Sequence, residues 1–348
     1  MRMKNGIEYL LALNKRHSAL FDAMHSERAQ YRALHKTEIA FIKCMDGRVH
    51  GAVMTRTPLG IIQPWRNLGG MFDIGWFGFA QSIKEWFDYA VNQGHDCLVF
   101  ATYHFAKGDR ERGCRGFHYD IDVARESTKK LKDQFDRVFR RRGLYAIQCG
   151  IETDEESFVL HGDAGETVYL SDHDRGTDSE LSMMLCRLYP NMPHGVVKDL
   201  LRLVRGNIEH SRVIRAMNRP VIDVEHREWV LAVGRGFDWL HEVNTALIVG
   251  PYDPNLDGAI RTAATLIKGN IDEGRIDVSA RGGVVLLSSA PYRGLTGPAR
   301  FLAAEKAKFL NAFALEVIRE APELHDLLPR LEELTVTMDY NTRQIGRV

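Results

Sequence analysis

Apolar side chains recur at helical spacing along residues 5–35. The stretch contains no internal proline, and its apolar positions fall mostly three, four or seven residues apart, as on one face of a helix. This pattern predicts one or two helices, which form an N-terminal arm over residues 1–36. The positions that carry the pattern are Ile7, Leu10, Leu11, Leu20, Phe21, Met24, Tyr31 and Leu34.

Beyond the arm, short apolar runs alternate with helical segments. The runs at 39–42, 97–103 and 144–150 have the length of buried strands, and helical spacing lies between them at 79–91 and 123–139. Such alternation predicts an α/β fold with a mostly parallel sheet flanked by helices. Ligands of such sheets bind at the carboxyl ends of the strands.

The second half of the chain repeats part of this pattern. Residues 151–224 predict a connector with a helix around 196–204. Over 225–348, WVLAVGRGFDWL resembles the earlier IAFIKCMDGRVH, and VVLLSSAPYRG resembles CLVFATYHFAKG. We interpret 37–150 and 225–348 as a weak internal duplication.

Composition narrows the class of protein. The 46 basic and 46 acidic residues cancel, which argues against a nucleic-acid or anionic-membrane partner. Charged residues interrupt every apolar run, so we expect no membrane span. The N-terminus lacks a small-residue cleavage site, and five cysteines are too few for a disulfide framework. We therefore expect a cytoplasmic protein with free thiols.

The candidate chemistry follows two strand ends. Cys44, Asp46 and Arg48 occupy alternate positions after the first run, so in an extended chain they point to the same side. His104 follows the second run, and Cys114 comes ten residues later. One imidazole and two thiolates make a three-ligand set suited to zinc, with a fourth position left for water. The second copy has Gly234 or Arg235, and Ser288 to Ala290, in the corresponding places, so only the first should bind metal.

Simpler interpretations stay open at this stage. Cys44 could be a buried structural thiol, and His104 a core histidine. Because the interval before Cys114 is long, His118 competes with it, as does the cluster of His95, Asp96 and Cys97. That cluster begins the second strand, at the opposite edge of the sheet from Cys44.

Taken together, these residues resemble the β-class carbonic anhydrases. The Cys-x-Asp-x-Arg motif at 44–48, the Arg-Asn-Leu-Gly-Gly segment at 66–70 and the later histidine and cysteine occur in that family's order, although 66–70 could also be an ordinary turn. The departure is the nine residues between His104 and Cys114, where the family usually has two. The carboxysomal shell and the cadmium-using zeta carbonic anhydrases have similarly long intervals. Both include duplicated domains, and in the shell enzyme one copy is degenerate.

The resemblance implies a β-carbonic-anhydrase-like domain over 37–150 and a degenerate copy over 225–348 that takes the place of a partner subunit. It implies that Cys44, His104 and Cys114 bind zinc, with cadmium or cobalt as substitutes. Asp46 and Arg48 become the catalytic dyad for the reversible hydration of carbon dioxide by metal-bound hydroxide. It further implies a lyase with carbon dioxide and bicarbonate as its small-molecule partners, a homo-oligomer that could be a dimer of pseudo-dimers, and a cytoplasmic location that could lie within a carboxysome.

Two other functions fit the same residues. Hydrolysis of carbonyl sulfide or carbon disulfide uses a similar attack on a linear electrophilic carbon, and a non-catalytic metal-binding or shell-associated structural protein needs only a closed site. His50 and His118 are candidate proton carriers near in sequence. Phe72, Tyr103 and Phe105 are candidate walls of an apolar pocket, although aromatic residues beside strands are more often core.

Overall fold

A computed structural model describes residues 5–139, 142–217, 219–278, 282–294 and 297–348. Over these residues the chain is an α/β protein with two mostly parallel sheets and flanking helices, which confirms the predicted fold class in its coarse form. No helix within the described ranges is long and apolar enough to cross a membrane.

The chain divides into two compact units, each built around one sheet. The sheet-A unit comprises Ser26–Cys44 and Val49–Glu225. The sheet-B unit comprises Met1–His25, Met45–Arg48 and His226–Val348, within the described residues. The short segment Met45–Arg48, which includes two of the predicted site residues, therefore packs with the C-terminal part of the chain.

Sheet A has six strands in the order β2-β1-β3-β4-β5-β6. The first four in this order are parallel, and the last two are antiparallel to their neighbours. All eight residues of the first strand except Glu38 are buried, which explains why it reads as a continuous apolar run rather than an alternating one. The strands are β1 (Thr37–Cys44), β2 (Ile62–Asn67), β3 (Asp96–Phe105), β4 (Leu144–Glu152), β5 (Ser157–His161) and β6 (Thr167–Tyr169).

Helices cover sheet A and fix the start of its first strand. The carboxylate of Asp199 accepts a hydrogen bond from the backbone N–H of Thr37 (3.0 Å) and lies 2.7 Å from Nδ1 of His35. The rings of Phe41 and Phe100 stack in the core at 4.4 Å. The helices are α2 (His25–Leu34), α3 (Gly51–Met54), α4 (Phe77–Asn92), α5 (Ile121–Phe139), α6 (Asp178–Leu188), α7 (His194–Ala216) and α8 (Val221–Val224).

Sheet B has five strands in the order β11-β10-β9-β7-β8, and only β11 runs antiparallel to its neighbour. Its core contains Trp229 and Trp239, together with Leu10 and Leu13 of the first helix. The elements are α1 (Gly6–Ala23), β7 (Val230–Gly234), β8 (Ala246–Val249), α9 (Leu256–Asp272), β9 (Val284–Tyr292), α10 (Gly297–Arg319), β10 (Leu331–Asp339) and β11 (Ile345–Arg347).

Candidate metal centre

Two of the three predicted ligands lie at the carboxyl ends of neighbouring parallel strands. Cys44 is the last residue of β1, and His104 is the next to last residue of the adjacent β3. Both side chains are buried, at 6% and 3% exposure. Because parallel strands end at the same edge of a sheet, the two residues meet although 60 positions separate them.

Cys114 reaches the same place through the long loop after β3. The end of β4 and the turn after it hold this loop: the carboxylate of Glu152 accepts a hydrogen bond from Lys107 N–H (2.9 Å), and Asp154 accepts one from Gly108 N–H (2.9 Å). The guanidinium of Arg112 also contacts Asp154, at 3.0 Å. The nine residues between His104 and Cys114 thus form a loop anchored on both sides of its tip.

The three side chains converge with dimensions that suit a tetrahedral metal ion. One ligand atom from each of Cys44, His104 and Cys114 lies within 4.8 Å of the other two. The two sulfur atoms are 3.9 Å apart, and neither cysteine forms a disulfide. With Zn–S bonds of about 2.3 Å, tetrahedral geometry places two sulfurs about 3.8 Å apart. The donor types and the spacing therefore fit zinc, and they also accept other soft or borderline divalent ions.

The Arg-Asn-Leu-Gly-Gly segment packs against this strand edge. Asn67 pairs with Cys44 in the β1–β2 register, and the chain then turns through Gly69 and Gly70, both with positive φ (66° and 67°). A Cβ on Gly70 would lie 3.0 Å from the carbonyl oxygen of Thr102 and 3.1 Å from the backbone nitrogen of Cys44. The turn can approach the strand end this closely only because it has no side chain there.

Replacing Gly70 by alanine should therefore weaken metal binding as well as stability. The new methyl group must displace backbone atoms next to Cys44, whereas alanine at Gly94, which has a similar φ of 71°, meets nothing within 4 Å. We expect Gly94→Ala to cost about 1 kcal/mol of unfolding free energy from its left-handed backbone alone. Gly70→Ala should cost more and should lower zinc affinity. Equal unfolding free energies and equal zinc affinities in the two variants would contradict the close approach.

A small cavity opens beside two of the three ligand residues. Its empty space is about 220 Å³ when the open solvent at its mouth is counted, and the enclosed part has room for about one water-sized molecule. Its lining combines buried apolar side chains with polar and charged ones. The rim is held by Arg110, whose Nε donates to the carbonyl oxygen of Tyr119 at 2.9 Å. The cavity is lined by His104, Phe105, Ala106, Arg110, Gly113, Cys114, Tyr119, Asp120 and Ile121.

Asp46 and Arg48 form a buried ion pair in the sheet-B unit. Nε and Nη2 of Arg48 donate to the two carboxylate oxygens of Asp46, at 3.1 and 2.7 Å, and the backbone N–H of Arg48 adds a third bond at 2.8 Å. Such a two-pronged contact fixes the carboxylate in one orientation. The backbone of this segment runs beside β8, because Ile248 N–H donates to the carbonyl oxygen of Met45.

Two further residues lie next to this ion pair, and sequence reasoning missed both. His226 and Glu228 lie just before β7, and one ligand atom from each lies within 4.8 Å of Asp46 and of the other. Their alternate spacing ahead of a strand matches that of Asp46 and Arg48 after one, which is the signal that was available. Burial alone would raise the pKa of Glu228, but the hydrogen bond to His226 and the positive charge of Arg48 act in the opposite direction, and the pKa lies below its ordinary value.

The remaining candidates lie elsewhere. Cys97 is the second residue of β3, at the opposite end from His104, and burial raises the pKa of its thiol. His118 is exposed, and it is Cys114 that shares the cluster with Cys44. His50 caps α3, where its Nδ1 accepts a hydrogen bond from the N–H of the third helical residue.

Among the predicted pocket walls, only Phe105 lines the cavity. The hydroxyl of Tyr103 instead lies 2.9 Å from Nε2 of His161, whose pKa burial lowers to about 4. Phe72 packs on Phe79, with ring centroids 4.5 Å apart. These two aromatic residues belong to the core, as aromatic residues beside strands commonly do.

Comparison of the chain with protein-family models and with curated proteins finds no match. The resemblance to β-class carbonic anhydrases therefore stays a prediction from the sequence motifs.

Proposed function

We propose that this protein is a zinc-dependent carbonic anhydrase that interconverts carbon dioxide and bicarbonate. The observation that carries the proposal is the convergence of Cys44 with His104 and Cys114, at least 60 positions further along the chain, on a space with tetrahedral dimensions. A purely structural zinc commonly has four protein ligands, whereas this cluster offers three. The β-carbonic-anhydrase relationship, the internal duplication and the loss of metal from the second copy belong to the same proposal.

Cys44, His104 and Cys114 would hold a zinc ion at the edge of the sheet. When bound, zinc supplies Lewis acidity that makes hydroxide available near neutral pH. Two thiolates donate negative charge toward the ion, so we expect this effect to be weaker than in a site of three histidines and the activity to rise toward alkaline pH.

Asp46 is proposed to accept a hydrogen bond from the attacking water and so to orient it. Only one residue separates Cys44 from Asp46 in the chain, so covalent geometry limits their Cα atoms to about 7 Å apart. The guanidinium of Arg48 donates a hydrogen bond to each carboxylate oxygen and so fixes the orientation in which Asp46 can accept a further one. The carboxylate is thereby a fixed orienting group rather than a proton store.

Carbon dioxide is proposed to enter through the cavity beside His104 and Cys114. The buried Phe105 and Ala106 give this cavity an apolar wall, which suits a small nonpolar substrate. The exposed Arg110 at the rim places a positive charge where the anionic product leaves.

A stopped-flow assay of carbon dioxide hydration, with metal content measured on the same sample, tests the proposal. We expect close to one zinc per chain and a rate that rises with pH. Removal of the metal with a chelator should abolish the rate, and readdition of zinc should restore it. A zinc-loaded protein without hydratase activity, or full activity after metal removal, would overturn the proposed function.

A further inference from the structure

We propose that His226 and Glu228 are positioning residues that set the orientation of Asp46 through Arg48. The inference rests on the proposed function, because it assigns these two residues a role in the same reaction. The four side chains form one hydrogen-bonded chain inside the sheet-B unit, running from Glu228 through His226 and Arg48 to Asp46. Neither positioning residue is proposed to touch the substrate.

Short distances connect the four side chains by hydrogen bonds. Nδ1 of His226 lies 3.0 and 3.2 Å from the two carboxylate oxygens of Glu228, and its Nε2 lies 2.9 Å from Nη2 of Arg48. The same Nη2 donates to Asp46 at 2.7 Å. All four residues are buried, from 0% exposure for Glu228 to 9% for His226. In such a protected place each hydrogen bond is strong, and a missing partner is costly.

The neighbours of His226 fix its tautomer. A guanidinium has five N–H donors and no acceptor, so Nε2 of His226 must accept the hydrogen bond from Arg48. The ring proton then resides on Nδ1 and is donated to Glu228. A doubly protonated ring would place an N–H against the N–H of Arg48, 2.9 Å away. The geometry therefore assigns a neutral imidazole between an ionised carboxylate and a guanidinium.

Glu228 also holds the backbone that carries the dyad. Its Oε1 accepts a hydrogen bond from Gly47 N–H at 3.1 Å, and Asn244 N–H donates to the carbonyl oxygen of Gly47 at 2.9 Å. A Cβ on Gly47 would lie only 2.7 Å from the carbonyl oxygen of Ala246, so the close contact requires glycine. One carboxylate thus orients both the backbone between Asp46 and Arg48 and the imidazole that contacts Arg48.

A second metal site is the competing interpretation of Asp46, His226 and Glu228, because their ligand atoms lie within 4.8 Å of one another. Arg48 argues against it. Its Nη2 lies 2.7 Å from Asp46 and 2.9 Å from His226. A fixed positive charge therefore already contacts two of the three groups that would have to bind the cation. The cluster is better described as a chain of hydrogen bonds than as a cation site.

His226 and Glu228 would give a specific chemical role to the half of the chain that lacks the predicted metal ligands. They precede β7, the first strand of the proposed degenerate copy. Although that half lacks the cysteines and histidine of the first, it supplies the residues that orient the dyad.

The tautomer is tested directly by nitrogen NMR on the zinc-loaded protein with ¹⁵N-labelled histidine. The signals of His226 are identified by their absence from the spectrum of His226→Gln. We expect the shifts and long-range couplings of a neutral ring protonated at Nδ1. Protonation at Nε2 alone, or a doubly protonated ring, would overturn the assigned chain. This measurement needs no activity.

Variants test whether His226 and Glu228 position the dyad of Asp46 and Arg48. His226→Phe and Glu228→Gln should lower kcat by about 10- to 100-fold, the usual effect of losing an outer partner of a metal site, with KM and zinc content unchanged. His226→Gln should restore most of kcat, since its amide can accept from Arg48 and donate to Glu228. The control is His241→Gln, a partly buried histidine of the same unit, which should leave kcat unchanged.

The Nε–H signal of Arg48 separates the two possible failures. We expect it to shift in Glu228→Gln and to stay in place in His241→Gln, whether or not the protein hydrates carbon dioxide. An inactive parent with these NMR results would contradict the proposed function but not the hydrogen bonds that connect Glu228, His226, Arg48 and Asp46. An active parent whose kcat is unchanged in both His226→Phe and Glu228→Gln would contradict the positioning role alone.

Discussion

Replacing Cys44 by serine is expected to abolish both metal binding and carbon dioxide hydration. Cys44 contributes one of only two thiolates to the cluster, and its sulfur lies 3.9 Å from that of Cys114. A hydroxyl is a much poorer ligand for zinc than a thiolate. The loss of affinity should therefore exceed the ~100-fold that removal of an outer partner typically costs. Zinc content after dialysis and the stopped-flow rate, measured on the same sample, check this result.

Cys97→Ser is the matched control for this variant. Cys97, like Cys44, is buried, and it lies in the neighbouring strand β3, but at the opposite end. The substitution should reduce the unfolding free energy and leave the zinc content at one per chain. If both variants retained zinc, Cys44 would not be a ligand. If both lost it, the effect would come from the sheet as a whole.

Replacing Asp46 by asparagine is expected to retain the metal and to lower turnover by about 100-fold or more, within the range typical of a positioned acid–base group. The carboxylate uses both oxygens to accept from Arg48. An amide of the same size has one oxygen and one N–H₂, so at least one donor of Arg48 would face another donor. The group that orients the attacking water would then be lost, while Cys44, His104 and Cys114 stay intact.

Comparison of kcat with zinc content in Asp46→Asn separates orientation from metal binding. Asp136→Asn is a suitable control, since that carboxylate is a partly buried partner of Lys132 within α5 and lies outside the cluster. Turnover equal to that of the parent in Asp46→Asn would remove the role assigned to the carboxylate. Loss of zinc in the same variant would instead make Asp46 part of the metal site.

The sequence predicts the strand-end part of the site well. Cys44 and His104 each follow a short apolar run, and runs of this kind become parallel strands whose carboxyl ends adjoin. Cys114 could be placed only with competitors, because its position depends on a loop held by Glu152 and Asp154, about 40 residues further along the chain. Hydrogen bonds across such a separation leave no periodic pattern.

The surroundings of the dyad could not be predicted for a related reason. Alternation suggests where the side chains of Asp46 and Arg48 point, but not that residues 45–48 pack with the C-terminal part of the chain. The second half also lacks the cysteines and the histidine that mark the site in the first half, so no motif pointed to His226 and Glu228. Residues 151–224, predicted as a connector with helices, contain the short strands β5 and β6 as well as the helices α6, α7 and α8.

The most direct measurement of the central claim is X-ray absorption at the zinc edge of the loaded protein. We predict two sulfur atoms at about 2.3 Å and two lighter atoms at about 2.0–2.1 Å, one of which exchanges with an added anion. One sulfur or none in the first shell, or four protein ligands that no anion displaces, would contradict the convergence of Cys44, His104 and Cys114 on an ion that is open to solvent.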